Sequence, residues 1–194
     1  MKGVIFNAFE AFVSSTWSDG VFETVLAQSD LETAEPFVGP GTYPASDLLA
    51  LVMTTCRLVD AEPEEVVRSF GRFSFPLLAR SVSDLMAGFS DARTFLEQLE
   101  PLVHAEVRKL DPEAAPARFS VEPCGQDTIL LRYRSPLRLY ALVQGLLDGT
   151  ADWFGTPFDH ELERVDGDVA TFRLDFAPNP RGAAANAPTV VARG

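Results

Sequence analysis

The spacing of apolar residues changes along this chain, and that change limits the folds that it can adopt. Over residues 96–110 apolar side chains recur every three or four positions, which is the spacing of one helix face. After residue 116 they alternate with polar ones over residues 119–122 and 128–133, which is the period of a half-buried strand. The chain is therefore expected to combine helices and strands in separate stretches.

The order of these stretches predicts the fold class. Residues 137–154 return to the helical period, and residues 160–165 and 169–176 are two further strands. Asp166-Gly167 between those strands is a strong hairpin signal. The order strand, strand, helix, strand, strand predicts an α+β protein with a four-stranded antiparallel sheet and about seven helices.

The N-terminal part is predicted to be helical, with a loop over residues 31–45, which are rich in proline and glycine. Gly71 and Pro76 are expected to weaken or bend the helix that begins at Pro63. Residues 80–92 are expected to form a short connection. The predicted helices are residues 3–15, one capped by Ser18, one capped by Ser46 that runs to about Val59, and one that begins at Pro63.

The length of 194 residues suits a single domain, which we expect over residues 1–177. A helical N-terminal part is expected over about residues 1–62 and a C-terminal part over about residues 63–177. Residues 178–194 lack periodicity and are predicted to be a flexible tail.

Charge and cysteine content exclude several classes of function. The net charge of −12 argues against a nucleic-acid surface, although it permits a basic protein partner. No apolar run is long enough for a membrane span, and no secretory leader is evident. Cys56 and Cys124 form no CxxC pair and suit a reducing cytosol. From these features we expect a cytoplasmic protein. The sequence also shows no nucleophile–base pair and no phosphate loop, so we expect that it is not an enzyme.

His104 is one of only two histidines, and it lies in the helical segment that follows Pro101. Neutral imidazole is a common iron ligand, and a single axial histidine often holds haem. However, a histidine beside an apolar face is more often an ordinary packed side chain. Taken alone, the helical pattern favours the packed side chain.

Three short motifs together resemble the haem nitric oxide/oxygen-binding (H-NOX) family, which includes the haem domain of soluble guanylate cyclase and many bacterial sensors. The chain begins MKGVI, has HAEVRK from His104 onward, and has YRSPL from Tyr133 onward. The family pattern is M-K-G-x-I, then H-x-x-(V/L)-x-K with the proximal histidine, then Y-x-S-x-R. The resemblance covers about residues 1–176, with the motifs in the family's order.

The resemblance implies that the chain binds haem b, with His104 as the axial iron ligand. The hydroxyls of Tyr133 and Ser135 would bind the propionates. The position of the motif arginine holds Leu137, and Arg138 follows one place later. On a strand a shift of one residue reverses the face, whereas in an opening loop Arg138 could still reach the propionates. Without compensation, the lost arginine would cost ~1.5–3 kcal/mol of haem binding.

The resemblance also implies a gas pocket on the distal side of the haem. Oxygen-binding members carry a tyrosine nine residues beyond the motif tyrosine, and this chain has Leu142 there. An apolar pocket with Ser74 as its one short donor favours nitric oxide, with carbon monoxide bound in vitro. The residues expected to line this pocket are Ile5, Phe9, Ser74, Phe75, Leu78, Leu142 and Leu146.

These expectations combine into a haem-based nitric oxide sensor. The chain is expected to leave no room for an output domain, so it would signal by a conformational change to a separate protein. In bacterial relatives the partner is typically a histidine kinase or a cyclic-di-GMP enzyme. Leu137 keeps an alternative open, a haem-free or weakly haem-binding interaction or small-ligand module on the same fold. A haem carrier or haem sensor is a third interpretation.

Overall fold

The computed structural model describes residues 1–34, 36–101 and 117–177, which form two compact units. The first comprises residues 1–92 and 139–156, and the second lies within residues 93–138 and 157–194. The first unit thus runs past residue 62, where the sequence suggested a boundary. The predictions for His104 and for the tail at 178–194 fall outside the described residues.

The described residues contain seven helices and four strands. The helices are α1 (Gly3–Thr16), α2 (Asp19–Gln28), α3 (Ala45–Val59), α4 (Pro63–Ser81), α5 (Ser83–Met86), α6 (Ala92–Glu97) and α7 (Tyr140–Phe154). The strands are β1 (Arg118–Pro123), β2 (Thr128–Arg134), β3 (Phe158–Asp166) and β4 (Val169–Phe176). The expected α+β class is therefore confirmed. Among these residues no helix combines the length and the apolar character that crossing a membrane requires.

Two of the predicted helix starts are confirmed and one is wrong. The Ser18 hydroxyl accepts a hydrogen bond from the Val21 amide at 3.3 Å and caps α2, and Pro63 occupies the first turn of α4. Ser46, however, does not cap α3, because Pro44 holds the cap position. The Ser46 hydroxyl instead donates to the Glu32 carboxylate at 2.6 Å.

Helix α4 continues through Pro76 to Ser81. Proline has no amide hydrogen to give to the carbonyl of the residue four places earlier, here Arg72. A Cβ on Gly149 of α7 would lie 2.9 Å from that carbonyl oxygen, so the glycine lets α7 approach it closely. The expected weakening at Pro76 is offset by this packing against α7, and the helix does not break.

The core of the first unit is built from aromatic and aliphatic side chains of α1 to α4. Phe9 meets Phe70 edge-on with ring centroids 5.2 Å apart, and Phe12 lies 5.7 Å from the same ring. Such aromatic pairs add about 0.5–1.5 kcal/mol to the burial of their area. The contacts join α1 to α4, which are distant in sequence.

The sheet has the strand order β1-β2-β4-β3, and all neighbours are antiparallel. The turn between β3 and β4 is Gly167-Asp168, one residue later than expected, and Gly167 has a φ of +63° that favours glycine. The side chains of β2 and β4 alternate in burial along each strand. Those of the buried face are Ile129, Leu131, Tyr133, Ala170, Phe172, Leu174 and Phe176.

Candidate functional site

Tyr133 lies near the end of β2 on the buried face of the sheet. Its backbone pairs with Phe119 on one side and Ala170 on the other, and only 4% of the residue is exposed. Its ring centroid is 5.5 Å from that of Phe119. Arg134 is on the opposite, solvent-exposed face, with its guanidinium 3.6 Å from the Asp168 carboxylate. Arg134 therefore points away from Tyr133.

Ser135 is the first residue after β2 and is buried. Its amide donates to the Asp168 carbonyl at 3.2 Å, and its carbonyl accepts from the Arg138 amide at 3.3 Å. Its hydroxyl oxygen accepts from the Leu137 amide at 3.3 Å. Within the described part of the chain nothing accepts its hydroxyl hydrogen, which is therefore available to an added acceptor.

Arg138 lies in the turn that leads from Ser135 to α7. Its φ is +49°, an uncommon conformation for any residue other than glycine. Because β2 ends at Arg134, neither Leu137 nor Arg138 belongs to a strand, and the one-residue shift does not reverse a strand face. Arg138 is exposed, and the Leu137 side chain beside it is 51% exposed.

The phenol of Tyr133, the hydroxyl of Ser135 and the guanidinium of Arg138 come from one strand end and its turn. All three can donate hydrogen bonds, and none carries a negative charge. This donor set fits a group that presents carboxylates, as the propionates of haem do. The residues of the second unit that are described therefore fit haem, while His104 lies outside the described residues.

The predicted gas-pocket residues all belong to α1, α4 and α7 of the first unit. Phe9 is fully buried in the core cluster, and Ile5 and Leu142 pack against the same cluster. The structure thus places these three at one hydrophobic cluster. Phe75 is buried beside Trp153, with ring centroids 6.4 Å apart, and Leu146 is partly buried. Leu78 is 41% exposed.

The hydroxyl of Ser74 already has an acceptor. Ser74 is buried, and its Oγ donates to the Phe70 carbonyl at 2.7 Å, one helical turn earlier in α4. A serine that bonds back to its own helix in this way does not direct its proton elsewhere. The one short donor that the sequence offered for a bound gas is therefore engaged within α4.

The close contact between α4 and α7 was not anticipated from the sequence. A Cβ on Gly145 would lie 1.9 Å from the Arg68 carbonyl oxygen, and one on Gly71 would lie 2.5 Å from the Leu142 carbonyl oxygen. Two salt bridges between α4 and α7 accompany these glycines, and each has two hydrogen bonds. Arg68 donates to Asp148 at 2.7 and 3.1 Å, and Arg72 donates to Asp152 at 2.6 and 2.9 Å. The hydrogen bond to Asp148 raises the pKa of the Arg68 guanidinium.

A sequence signal for this contact does exist. Gly145 and Gly149 are four residues apart, as are Arg68 and Arg72, and Asp148 and Asp152. Residues at this spacing share one helix face. Two arginines on one helix and two aspartates on another therefore form a matched set, and the glycines mark the face that packs closely.

Comparison with known proteins agrees with this architecture. The family model described as Haem-NO-binding matches residues 2–162. No curated protein sequence matches the chain. Among solved structures, a mutant H-NOX protein from S. oneidensis in the Fe(II) ligation state is 26% identical, with a TM-score of 0.85 over 92% of this chain and 97% of that one. The Fe(II) unliganded H-NOX protein from K. algicida is 25% identical, with a TM-score of 0.81 over 93% and 98% of the two chains.

An H-NOX protein from S. oneidensis has also been solved in the Fe(II)NO state, and that structure matches with 26% identity and a TM-score of 0.84 over 92% of this chain and all of that one. The family match spans most of the chain, and the structural matches extend over more than nine-tenths of it. The chain therefore belongs to the Haem-NO-binding (HNOB, or H-NOX) family of haem-based gas-sensor domains.

Proposed function

We propose that this chain binds haem b through His104 and serves as a nitric oxide sensor that signals to a separate partner protein. The observation that carries the choice of gas is the Ser74 hydroxyl, which is engaged by the Phe70 carbonyl at 2.7 Å. Membership of the Haem-NO-binding family supports the cofactor. Haem bound there would supply an iron able to take up a diatomic gas, with His104 as its protein ligand.

The donors of the second unit would hold the haem propionates. Ser135 has a hydroxyl hydrogen to donate, and the buried phenol of Tyr133 lies on the same side of β2. Arg138 would supply the charged donor that the family pattern places one residue earlier, at Leu137. A charge-assisted hydrogen bond to a carboxylate is roughly twice as strong as a neutral one. Of the three donors, Arg138 would therefore contribute most to the binding of the propionates.

Arg138→Ala is expected to speed haem dissociation about tenfold or more, because a hydrogen bond between charged groups contributes ~1.5–3 kcal/mol. Leu137→Arg, which restores the family pattern, is expected to slow it. The measurement is haem transfer to an excess of apomyoglobin, followed by absorbance.

Arg134→Ala is the matched control, since Arg134 lies on the opposite face of β2, and its haem dissociation should equal that of the native chain. Equal dissociation rates in the native chain, Arg138→Ala and Leu137→Arg would contradict this role for Arg138.

The described residues that are predicted to line the gas pocket offer dioxygen no free hydrogen-bond donor. Ile5, Phe9 and Leu142 are apolar, and the hydroxyl of Ser74 is engaged within α4. Hydrogen-bond donors in the distal pocket of a haem protein decide whether it holds dioxygen. The pocket residues of this chain would give dioxygen no such donor, whereas nitric oxide would need none. The pocket chemistry therefore supports nitric oxide over oxygen.

The ferrous protein is expected to bind nitric oxide and carbon monoxide but to form no stable oxygen complex. Without a donor, dioxygen loses a stabilisation of ~1.5–3 kcal/mol. The test is the absorption spectrum of the ferrous protein before and shortly after exposure to air. Ser74→Ala should leave the spectra with nitric oxide and carbon monoxide and the spectrum after exposure to air unchanged. The reason is that the Ser74 hydroxyl already donates its hydrogen bond to the Phe70 carbonyl.

A stable oxy spectrum that disappears in Ser74→Ala would show that the serine turns towards the ligand. A stable oxy spectrum that survives this substitution would show that another donor serves the pocket. Either result would refute nitric oxide selectivity by lack of a donor.

The partner that we propose is a histidine kinase or a cyclic-di-GMP enzyme. A ligand shifts a conformational equilibrium only by its different affinity for the two states.

A second candidate function, a haem-free interaction or small-ligand module on the same fold, is favoured by the exposed Leu137 at the motif arginine's position. A purified chain that shows no haem absorbance after haem is supplied would select this second candidate.

A further inference from the structure

A groove of about 350 Å³ lies between α4 and α7 on the surface of the first unit. Its walls combine an indole and a proline ring with two guanidinium groups. Trp153 is 39% exposed, so much of its ring faces the groove and solvent. The residues that line the groove are Arg72, Pro76, Arg80, Gly149, Asp152 and Trp153.

The charges in this groove do not cancel. Arg72 makes two hydrogen bonds to the Asp152 carboxylate, at 2.6 and 2.9 Å. Arg80 is exposed and has no ion-pair partner in the described ranges 1–34, 36–101 and 117–177. The groove therefore carries one uncompensated positive charge, although the whole chain has a net charge of −12. This positive charge attracts an acidic group, which the net negative charge of the chain otherwise repels.

The groove is also connected to the candidate gas pocket. The Phe75 side chain is buried, with its ring 6.4 Å from that of Trp153. A Cβ on Gly149 in the groove wall would lie 2.5 Å from the Phe75 Cβ. Because Phe75 packs against both Trp153 and the backbone of α7, we expect a movement of Phe75 to displace one of them.

We propose that this groove docks an acidic segment of the signalling partner, with a carboxylate on Arg80 and an adjacent apolar side chain against Trp153 and Pro76. The proposal rests on the proposed sensor function, since it places the partner's contact beside a candidate gas-pocket residue. Arginine pairs with carboxylates through two parallel hydrogen bonds, and the indole and proline rings offer apolar area to the neighbouring side chain.

The test uses two synthetic peptides, acetyl-EELLEE-amide and acetyl-KKLLKK-amide, titrated into the isotope-labelled, haem-loaded ferrous carbon monoxide form. The NMR signals followed are the Trp153 indole N–H and the Arg80 Nε–H. We expect the acidic peptide to shift both signals saturably and the basic peptide to shift neither. Arg80→Ala should weaken binding about fivefold, the upper range for an exposed ion pair.

Arg57→Ala is the matched control, because Arg57 is an exposed arginine on α3 that does not line the groove. It should bind the acidic peptide as the native chain does. Trp153→Ala should weaken binding through the loss of apolar area.

Equal affinity in Arg80→Ala and the native chain, or equal shifts with both peptides, would overturn the proposal. The carbon monoxide spectrum of the same sample tests the proposed function separately. If that spectrum is absent, the sensor function fails, and the titration of the haem-free chain still decides whether the groove binds the acidic peptide.

Discussion

Replacing His104 with glycine is expected to abolish the native ferrous haem spectrum, and added imidazole is expected to restore it. His104 opens the H-x-x-V-x-K motif, and the chain has only one other histidine. An exogenous imidazole can occupy the space left by the side chain and supply the same nitrogen ligand. The measurement is the absorption spectrum of the reduced variant with and without imidazole.

His160→Ala is the control for this result. His160 lies on β3, where it pairs with Leu174, and its ring is 6.2 Å from that of Phe158. We expect this variant to keep the native spectrum. If His160→Ala loses the spectrum and His104→Gly keeps it, the assignment of the iron ligand is wrong.

Gly145→Ala is expected to lower the free energy of unfolding by about 3 kcal/mol, near the upper range for an overpacked core. The added Cβ would lie 1.9 Å from the Arg68 carbonyl oxygen and 2.9 Å from the Arg72 amide nitrogen, both backbone atoms of α4. To avoid this clash α4 and α7 must separate, which also strains the bridge from Arg68 to Asp148. Urea unfolding followed by circular dichroism measures the change.

Gly20→Ala is the matched helical control. A Cβ at Gly20 in α2 would meet only the Ser18 Oγ, at 3.9 Å. Alanine favours a helix over glycine by up to ~1 kcal/mol, so this variant should be as stable as the native chain or more stable. Equal stability of the two variants would contradict the close packing of α7 on α4.

Much of the fold was predictable because local patterns determine it. Apolar and polar residues alternate in four segments, with one helical segment between the second and the third. The strands β1 to β4 lie where this alternation occurs. Ser18 and Pro63 begin helices as their chemistry favours. The capping role of Ser46 was mispredicted because Pro44, which fixes its own backbone, takes the cap position. The Ser46 hydroxyl instead donates a hydrogen bond to Glu32 in the loop that precedes α3.

The site was less predictable, because its details depend on contacts between distant residues. The residues proposed for the gas pocket and for the propionate site were predicted only through motifs that resemble a known family. A serine in a helix can bond back to the carbonyl four residues earlier, but the pattern alone did not show that Ser74 would do so, or that Arg138 would adopt a φ of +49° in a turn. The contact between α4 and α7 joins residues about eighty positions apart and was not anticipated, although the matched spacing of arginines and aspartates is a signal for it.

The absorption spectrum of the reduced, haem-loaded chain during an anaerobic titration with nitric oxide tests the central claim most directly. We expect the spectrum to convert to that of a nitrosyl complex, with the conversion complete when nitric oxide and haem are equimolar. A chain that retains no haem after haem is supplied, or a ferrous spectrum that nitric oxide leaves unchanged, would contradict the proposal that this protein is a nitric oxide sensor.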